Sequence, residues 1–282
     1  SAALRDNTTG NCNVAVGFRA LKCNVTGGQN VALGSCALCA NVSAIDNVAI
    51  GNQALKSLTG QHTGSNVAIG ACAMQNAQGQ NNTVVGRCAM PNATSGYNVV
   101  MGRQALAASG SVGSFNTALG YQSLCKNTAG SNTAVGGSAG FNNSSGEIVA
   151  IGYSALCSNT VGTRNTSIGR FAMKCNTTGN DNTAVGHFSL LNNTTGIDNV
   201  SVGSCALFTS VTSRYNVAVG SVALKNNTTG EANTAVGYQS QHSGTTGCKN
   251  TSFGAFASTT NTTGRCNVSV GWGALFTNKC SN

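Results

Sequence analysis

Short apolar pieces recur along the chain at a nearly fixed interval. The phrase NTAVG occurs at 132–136, 182–186 and 233–237, and the variant NVAVG occurs at 13–17 and 216–220. Its closing glycine returns sixteen times, from Gly17 to Gly271, mostly in steps of 17 residues with early steps of 16 to 19. A period of this size is typical of solenoid proteins. The sequence therefore predicts sixteen coils that form one repeat domain over residues 1–282.

Each coil follows one pattern when the first residue of the phrase is numbered as position 1. The average unit reads N-[TV]-[AS]-[VIL]-G-x-x-A-[LM]-x-x-N-x-T-G-x-x. Positions 2 and 4, for example Val48 and Ile50, alternate with a small residue and are expected to face the core, which position 9 completes. Coils this short leave no room for a helix at every step, and the chain has one proline among 37 glycines. Two short strands per coil, stacked as an all-β parallel β-solenoid, are predicted.

Positions 1 and 3 are the most uniform polar and small positions. Position 1 is Asn in fifteen of sixteen coils, with Ile148 as the exception. A ladder of hydrogen-bonded amides is expected there, and a row of ligand-binding amides is the alternative. Position 3 is Ala or Ser except at Val84 and Val100. Position 3 is expected to point away from the core, and the small stripe indicates another backbone or sheet packed against it, with a neighbouring chain as the favoured interpretation and a flat coil with a thin second layer as the alternative.

Three units carry a more specific resemblance. The segments NVAIGNQAL (47–55), NTALGYQSL (116–124) and NTAVGYQS (233–240) resemble the head repeats of trimeric autotransporter adhesins and the related repeats of phage and viral tail fibres. The resemblance extends over all sixteen units, although the period is longer by an inserted N-x-T-G turn. It implies a left-handed β-roll in which the apolar pair of each strand fills the core and the intervening alanine faces neighbouring chains.

Thirteen cysteines fall on the repeat grid. Stacking would bring Cys72 and Cys88, both at position 7 of adjacent coils, about 4.8 Å apart, within the Cα separation of a disulfide. Cys12 and Cys280 are candidates for intermolecular bridges. Buried thiols in a reducing compartment and metal binding are the alternatives, and adjacent-coil pairing favours an extracellular location. Three more disulfides are predicted on neighbouring coils: Cys157 with Cys175, Cys23 with Cys39, and Cys248 with Cys266.

Sequons of the form N-x-S/T fill the turns of the repeat. Asn tolerates left-handed backbone angles and Gly prefers them, so the requirements of a tight turn alone also explain these sequences. Sequons at position 1, such as Asn165, are expected to stay in the ladder. The turn sequons are expected to be exposed and open to N-linked glycans: Asn7, Asn24, Asn41, Asn92, Asn143, Asn176, Asn193, Asn227 and Asn261.

Basic side chains recur along the second apolar piece. The net charge is +9, from 15 basic and 6 acidic residues. A solvated face is the first interpretation, and attraction of an anionic polysaccharide is the second. Nucleic acid is not a predicted partner, because interleaved aromatic residues and a reader motif were not recognised. The basic residues at positions 6, 7 and 10 are Arg19, Lys22, Lys56, Arg87, Arg103, Arg170, Lys174 and Lys225.

No catalytic constellation is recognised in the sequence. The three histidines fall at unrelated positions of the repeat, and the glycine-rich text lacks a Walker-type lysine. Neither an enzyme activity nor a cofactor or metal is predicted, and no apolar segment predicts a membrane span. The first residues contain no signal peptide, and neither end has an atypical capping coil, which predicts head-to-tail stacking.

These features together predict a secreted structural protein. We expect a self-associating subunit of an extracellular filament or surface fibre, built by head-to-tail or lateral packing of solenoids and reinforced by disulfides. The alternative is a segment of an adhesin, or of a viral or phage fibre, that binds a glycan on a host surface.

Overall fold

The structure is a computed structural model that describes residues 2–59, 64–92, 94–110 and 112–276. Within these residues the fold is all-β, with one three-residue strand per coil and no helix. The predicted parallel β-solenoid is thereby confirmed. The strands are β1 (Val14–Val16), β2 (Val31–Leu33), β3 (Val48–Ile50), β4 (Val67–Ile69), β5 (Thr83–Val85), β6 (Val99–Met101), β7 (Thr117–Leu119), β8 (Thr133–Val135), β9 (Val149–Ile151), β10 (Thr166–Ile168), β11 (Thr183–Val185), β12 (Val200–Val202), β13 (Val217–Val219), β14 (Thr234–Val236), β15 (Thr251–Phe253) and β16 (Val268–Val270).

The chain divides into two compact units, Ser1–Ser138 and Ala139–Asn282. Unit 1 contains β1 to β8 and unit 2 contains β9 to β16, and within each unit consecutive strands pair in parallel. The register places equal repeat positions side by side, as with Val200 and Val217. The prediction of one domain over residues 1–282 stays a prediction.

The side chains of the strands point in the opposite direction from that expected. Position 3 lies in the core, where Ala49, Ala184 and Val84 are fully buried. Positions 2 and 4 point outward, and in the interior strand β6 the side chains of Val99 and Met101 are 45% and 53% exposed. The expectation that positions 2 and 4 fill the core, which the adhesin resemblance also implies, is wrong here. The inference that position 3 contacts another chain is wrong for the same reason.

The narrow cross-section of a coil explains this orientation. In most coils the buried set is Asn at position 1, Ala or Ser at positions 3 and 8, Leu or Met at position 9 and Asn at position 12. Only position 9 regularly contributes a large apolar side chain, for example Leu55 or Met173. Native cores have little spare volume. Two branched side chains per coil from positions 2 and 4 would therefore not fit beside it.

The second apolar piece is not a strand. Positions 8 and 9 are both buried, as in Ala206 and Leu207, although consecutive residues of a pleated strand point to opposite faces. The backbone satisfies this requirement with left-handed residues at positions 7 and 9, such as Cys205 (φ 54°) and Leu207 (φ 48°). The predicted second strand is therefore replaced by a chain of tight turns. Its amides still bond between coils, as in the bond from Leu207 N to Ala223 O at 3.0 Å.

The glycine at position 5 joins the strand to these turns. Gly186 has a φ of +135°, which L side chains rarely adopt, and a Cβ built on it would lie 2.6 Å from the carbonyl oxygen of Gly203 in the next coil. Both constraints strongly disfavour any other residue. The closing glycine of the repeated phrase is thus required by the stacking distance between coils.

Candidate interaction surfaces

The outward side of the strands forms a continuous apolar surface in each unit. We call this surface the strand face and define it as the side chains at positions 2 and 4 of β1 to β8 in unit 1 and of β9 to β16 in unit 2. Position 2 is always Val or Thr, and position 4 is always Val, Ile, Leu, Met or Phe. No charged residue interrupts either strand face.

The size of a strand face is comparable to the largest apolar patches on soluble monomers. Eight strands at about 4.8 Å spacing, each about 10 Å long, give a flat area of roughly 350 Å² per unit. The largest apolar patch on a soluble monomer often takes part in binding. Position 6 beside this face carries exposed side chains of mixed polarity, for example Ser204, Ser221 and Tyr238. The strand face is therefore the leading candidate for an interface.

The asparagine ladder at position 1 is confirmed. In unit 2, the backbone N and the Nδ2 of Asn216 both donate to the Oδ1 of Asn199, at 3.1 and 3.2 Å. Asn199 donates in the same way to Asn182, and its Nδ2 also donates to the carbonyl oxygen of Ser213 at 2.8 Å. These amides are fully buried, so they hold the coils together and are closed to an external ligand.

A second amide ladder follows position 12 and contradicts the predicted exposure of the turns. The Nδ2 of Asn176 donates to the Oδ1 of Asn159 at 2.8 Å, and the Nδ2 of Asn193 donates to the Oδ1 of Asn176 at 2.9 Å. Because the atom that would carry a glycan is buried and hydrogen-bonded, the folded coil has no room for one. Seven of the nine predicted glycosylation sites are at most 3% exposed, and their expected exposure is wrong: Asn24, Asn41, Asn143, Asn176, Asn193, Asn227 and Asn261.

The other two predicted glycosylation sites are half-buried. Asn7 donates from Nδ2 to the carbonyl oxygen of Gly10 at 2.9 Å, and Asn92 donates from Nδ2 to the carbonyl oxygen of Ala108 at 3.2 Å. Both amides thus have a backbone acceptor in the folded chain. Glycosylation at Asn7 and Asn92 stays a prediction.

Twelve cysteines lie within the described residues, and all twelve are free thiols in the structure. The stacking nevertheless brings predicted partners together. The pKa of Cys72 is raised mainly by burial and further by the neighbouring thiol of Cys88. Burial is also the main cause that raises the pKa of Cys157, with a smaller contribution from Cys175. The disulfides Cys72–Cys88 and Cys157–Cys175 stay predictions, although their partners lie close together.

The remaining predicted pairs are less direct. Burial is the main cause that raises the pKa of Cys39, and among its thiol neighbours Cys36 of the same coil contributes more than Cys23. The predicted partner Cys23 therefore has a competitor. The remaining pair, Cys248 with Cys266, is joined by a backbone bond from Cys266 N to Cys248 O at 3.1 Å. These two disulfides also stay predictions. Of the intermolecular candidates, Cys12 is exposed, and Cys280 lies outside the described residues.

Aromatic side chains lie among the basic ones, which sequence reasoning missed. In unit 2, the Phe171 and Phe188 rings stack with centroids 5.6 Å apart. The guanidinium carbon of Arg170 lies 4.3 Å from the Phe171 ring centroid, and the Lys174 Nζ lies 5.1 Å from it. We call Tyr153, Arg170, Phe171, Lys174, His187, Phe188 and Phe208 the aromatic–basic cluster. The signal was available in the sequence, because these aromatics fall at positions 6, 7 and 10 of successive coils.

Opposite charges pair at a different corner of the coil, at positions 16 and 17. Arg164 donates from Nε and Nη2 to the two carboxylate oxygens of Asp181 at 2.6 and 2.8 Å. This hydrogen bonding lowers the pKa of the Asp181 carboxyl. Both side chains are exposed, so the pair orders the surface without supporting the core.

Searches for other kinds of site and for relatives give negative results. In the described part of the chain, no three His, Cys, Asp or Glu side chains are grouped so that they could bind a metal ion. The same residues contain no helix of the length and apolarity that crossing a membrane requires. The chain matches no protein-family model, no curated protein and no solved structure at a significant level.

Proposed function

We propose that this protein is a structural subunit of an extracellular filament or surface fibre, and that its strand faces pack against those of further copies. The observation that carries the proposal is the outward column formed by Val or Thr at position 2 and Val, Ile, Leu, Met or Phe at position 4 of every strand. Its flatness suits a second copy of the same solenoid, because equal columns repeat at the same strand spacing.

The orientation of the strand strengthens this proposal over the expectation from sequence. A small-residue stripe at position 3 would bury little area on association. The strand face instead presents branched side chains, whose burial stabilises an interface by about 25 cal/mol per Å² before the costs of association are counted. Lateral packing is therefore the favoured contact, with head-to-tail joining as a second contact.

An extracellular location is part of the proposal. It is supported by thiols that lie on adjacent coils, such as Cys72 and Cys88, because such pairs are most useful where disulfides persist. A tail-fibre or adhesin segment is the alternative role, and it would use the same solenoid.

Two lysines on the strand face test the lateral contact. The variant Val202→Lys/Val219→Lys changes outward, half-buried positions of β12 and β13. The matched control Ser204→Lys/Ser221→Lys places the same two charges at exposed positions of the same coils. Analytical ultracentrifugation and electron microscopy of the full chain should show laterally associated assemblies for the wild type and for the control, and dispersed particles for the strand-face variant.

Retention of full assembly by Val202→Lys/Val219→Lys, with unchanged far-ultraviolet circular dichroism, would refute the lateral contact. Head-to-tail joining is tested separately with Cys12→Ser on a non-reducing gel. Loss of covalent dimers in this variant would support a disulfide at the joint, and their retention would exclude Cys12.

A further inference from the structure

The aromatic–basic cluster combines fixed cations with a rigid apolar base. Phe171 is the central ring and stacks against Phe188. The Tyr153 ring contacts it edge-on, with ring centroids 5.4 Å apart. Phe188 in turn meets Phe208 edge-on at 6.1 Å. The rings thus span four consecutive coils of unit 2. Packing against Phe171 restricts Arg170 and Lys174, so less side-chain entropy is lost when either cation binds a ligand.

No carboxylate neutralises these cations within the described residues. The ion pairs there are Arg5 with Asp6 and Arg164 with Asp181, and neither includes Arg170 or Lys174. All acidic residues of unit 2 fall at positions 16 and 17, away from the cluster at positions 6, 7 and 10: Glu147, Asp181, Asp198 and Glu231. Positive and negative groups are thus segregated to different corners of the coil, and the cluster presents an uncompensated positive field.

His187 extends the polar edge of the cluster along the stack. Its Nε2 lies 3.4 Å from the Nη1 of Arg170, and its ring contacts Phe188 with centroids 3.8 Å apart. Arg170, Lys174 and His187 are all exposed. Exposed polar side chains of two successive coils therefore lie side by side.

We propose that the aromatic–basic cluster binds an acidic polysaccharide, with Arg170 and Lys174 contacting its sulfate or carboxylate groups. The proposal goes beyond the structural role and does not depend on assembly. An extended polyanion fits because the cluster is itself extended: four coils at about 4.8 Å spacing give a length on the order of 14 Å. Single-stranded nucleic acid fits less well, because bases bind on open aromatic faces, whereas the Phe171 face is covered by Phe188, Arg170 and Lys174.

Dextran sulfate is the probe for this site, and neutral dextran of equal length is its control. Binding to the full chain is measured by isothermal titration at several salt concentrations. The test variant is Arg170→Ser/Lys174→Ser. The matched control is Arg214→Ser/Lys249→Ser, which removes two exposed positive charges from positions 16 and 17, where the acidic side chains lie.

The test variant should lose at least tenfold in affinity for dextran sulfate and show a shallower salt dependence, whereas the control variant should change less than threefold. Equal losses in the two variants would overturn the proposal, since they would mean attraction by net charge alone. An oligothymidylate that binds the wild type more tightly than dextran sulfate, and loses that affinity in the test variant, would also overturn it and assign the cluster to nucleic acid. The variant Val202→Lys/Val219→Lys should bind dextran sulfate at least as tightly as wild type, which separates this test from that of assembly.

Discussion

The amide ladder at position 12 contains a defect that predicts a stabilising double substitution. Asn159, Asn176 and Asn193 donate in series from Nδ2 to the preceding Oδ1. The next coil has Ser210 instead of Asn, and its hydroxyl bonds to that of Ser213. The Oδ1 of Asn193 is consequently buried without a hydrogen-bond partner.

Repair of the ladder is designed with two changes. Ser210→Asn supplies an Nδ2 donor for Asn193 and an acceptor for Asn227. Ser213→Gly matches Gly196 of the previous coil, where a Cβ would lie 2.3 Å from the Oδ1 of Asn193, although Asn41 keeps its ladder bond with Ala44 at this position. The double variant therefore restores the N-x-x-G turn that neighbouring coils use.

The expected gain follows from opposing contributions. The bond to the Oδ1 of Asn193 recovers about 1–3 kcal/mol of the penalty of the unsatisfied acceptor, and the further bond from Asn227 adds about 1 kcal/mol. The lost bond between the two serines removes about 1 kcal/mol, and the new glycine costs roughly 0.5–1 kcal/mol in unfolded-state entropy. The net stabilisation should be about 1–2 kcal/mol.

Hydrogen exchange measured by mass spectrometry is the appropriate assay, since repeat arrays need not unfold in one step. Amides of residues 190–216 should exchange more slowly in the double variant, under reducing conditions, while those of unit 1 stay unchanged. Ser213→Gly alone should accelerate exchange. Ser210→Asn alone should protect these amides less than the double variant does. If the double variant protects these amides no better than wild type does, the unsatisfied acceptor does not carry the energy assigned to it.

Three further substitutions or modifications test the packing. Gly186→Ala should destabilise unit 2 by about 2–5 kcal/mol, because it combines a strained φ with a contact to Gly203; a thermal midpoint equal to wild type would contradict the close approach of the coils. Ala218→Lys should unfold its coil by burying an unpaired charge, whereas the adjacent Val219→Lys should remain folded by circular dichroism; the reverse result would restore the orientation predicted from sequence. Cys157 should be alkylated by iodoacetamide more slowly at pH 7.5 than a peptide of the same sequence, because burial raises its pKa and the thiolate is the reactive form; equal rates would show that the thiol is not shielded.

The coil length, the strand positions and the position-1 ladder were predictable from sequence because they follow from periodicity. A ladder of identical side chains needs only an invariant residue at a fixed interval, and Asn at position 1 satisfies that condition in all but one coil. Strand register then follows, since stacking equal positions is the only arrangement that continues such a ladder. These properties are independent of which side chains face inward.

The predicted orientation of the strand side chains was wrong, although the sequence contained the information needed to orient them correctly. Positions 1 and 3 lie on the same face of a strand, and positions 2 and 4 lie on the other. A buried Asn98 at position 1 therefore requires a buried Val100 at position 3, as the structure has it, and excludes an inward Val99. Hydrophobicity alone favours the larger side chains for the core, whereas the small volume that a 17-residue coil can enclose favours Ala and Asn.

Left-handed residues at positions 7 and 9 could not have been anticipated in the same way. They include Leu190, Phe188 and Met173, which are not the Gly, Asn or Asp that usually indicate such backbone. Each conformation is unfavourable by about 1–3 kcal/mol on its own and persists only where surrounding contacts determine it. Those contacts lie in adjacent coils, so the local sequence carries no signal for them.

The observed orientation of the strand side chains exposes different surfaces from those expected from the sequence. With Ala and Asn inside, the branched residues expected in the core form the outward strand face, and seven of the nine turn asparagines expected to carry glycans are buried. The outward side of a coil is then divided between the strand face, the segregated cations of positions 6, 7 and 10, and the paired charges of positions 16 and 17. One coil can therefore present an apolar contact for self-association and a separate cationic contact for a polyanion, and neither needs to be removed to test the other.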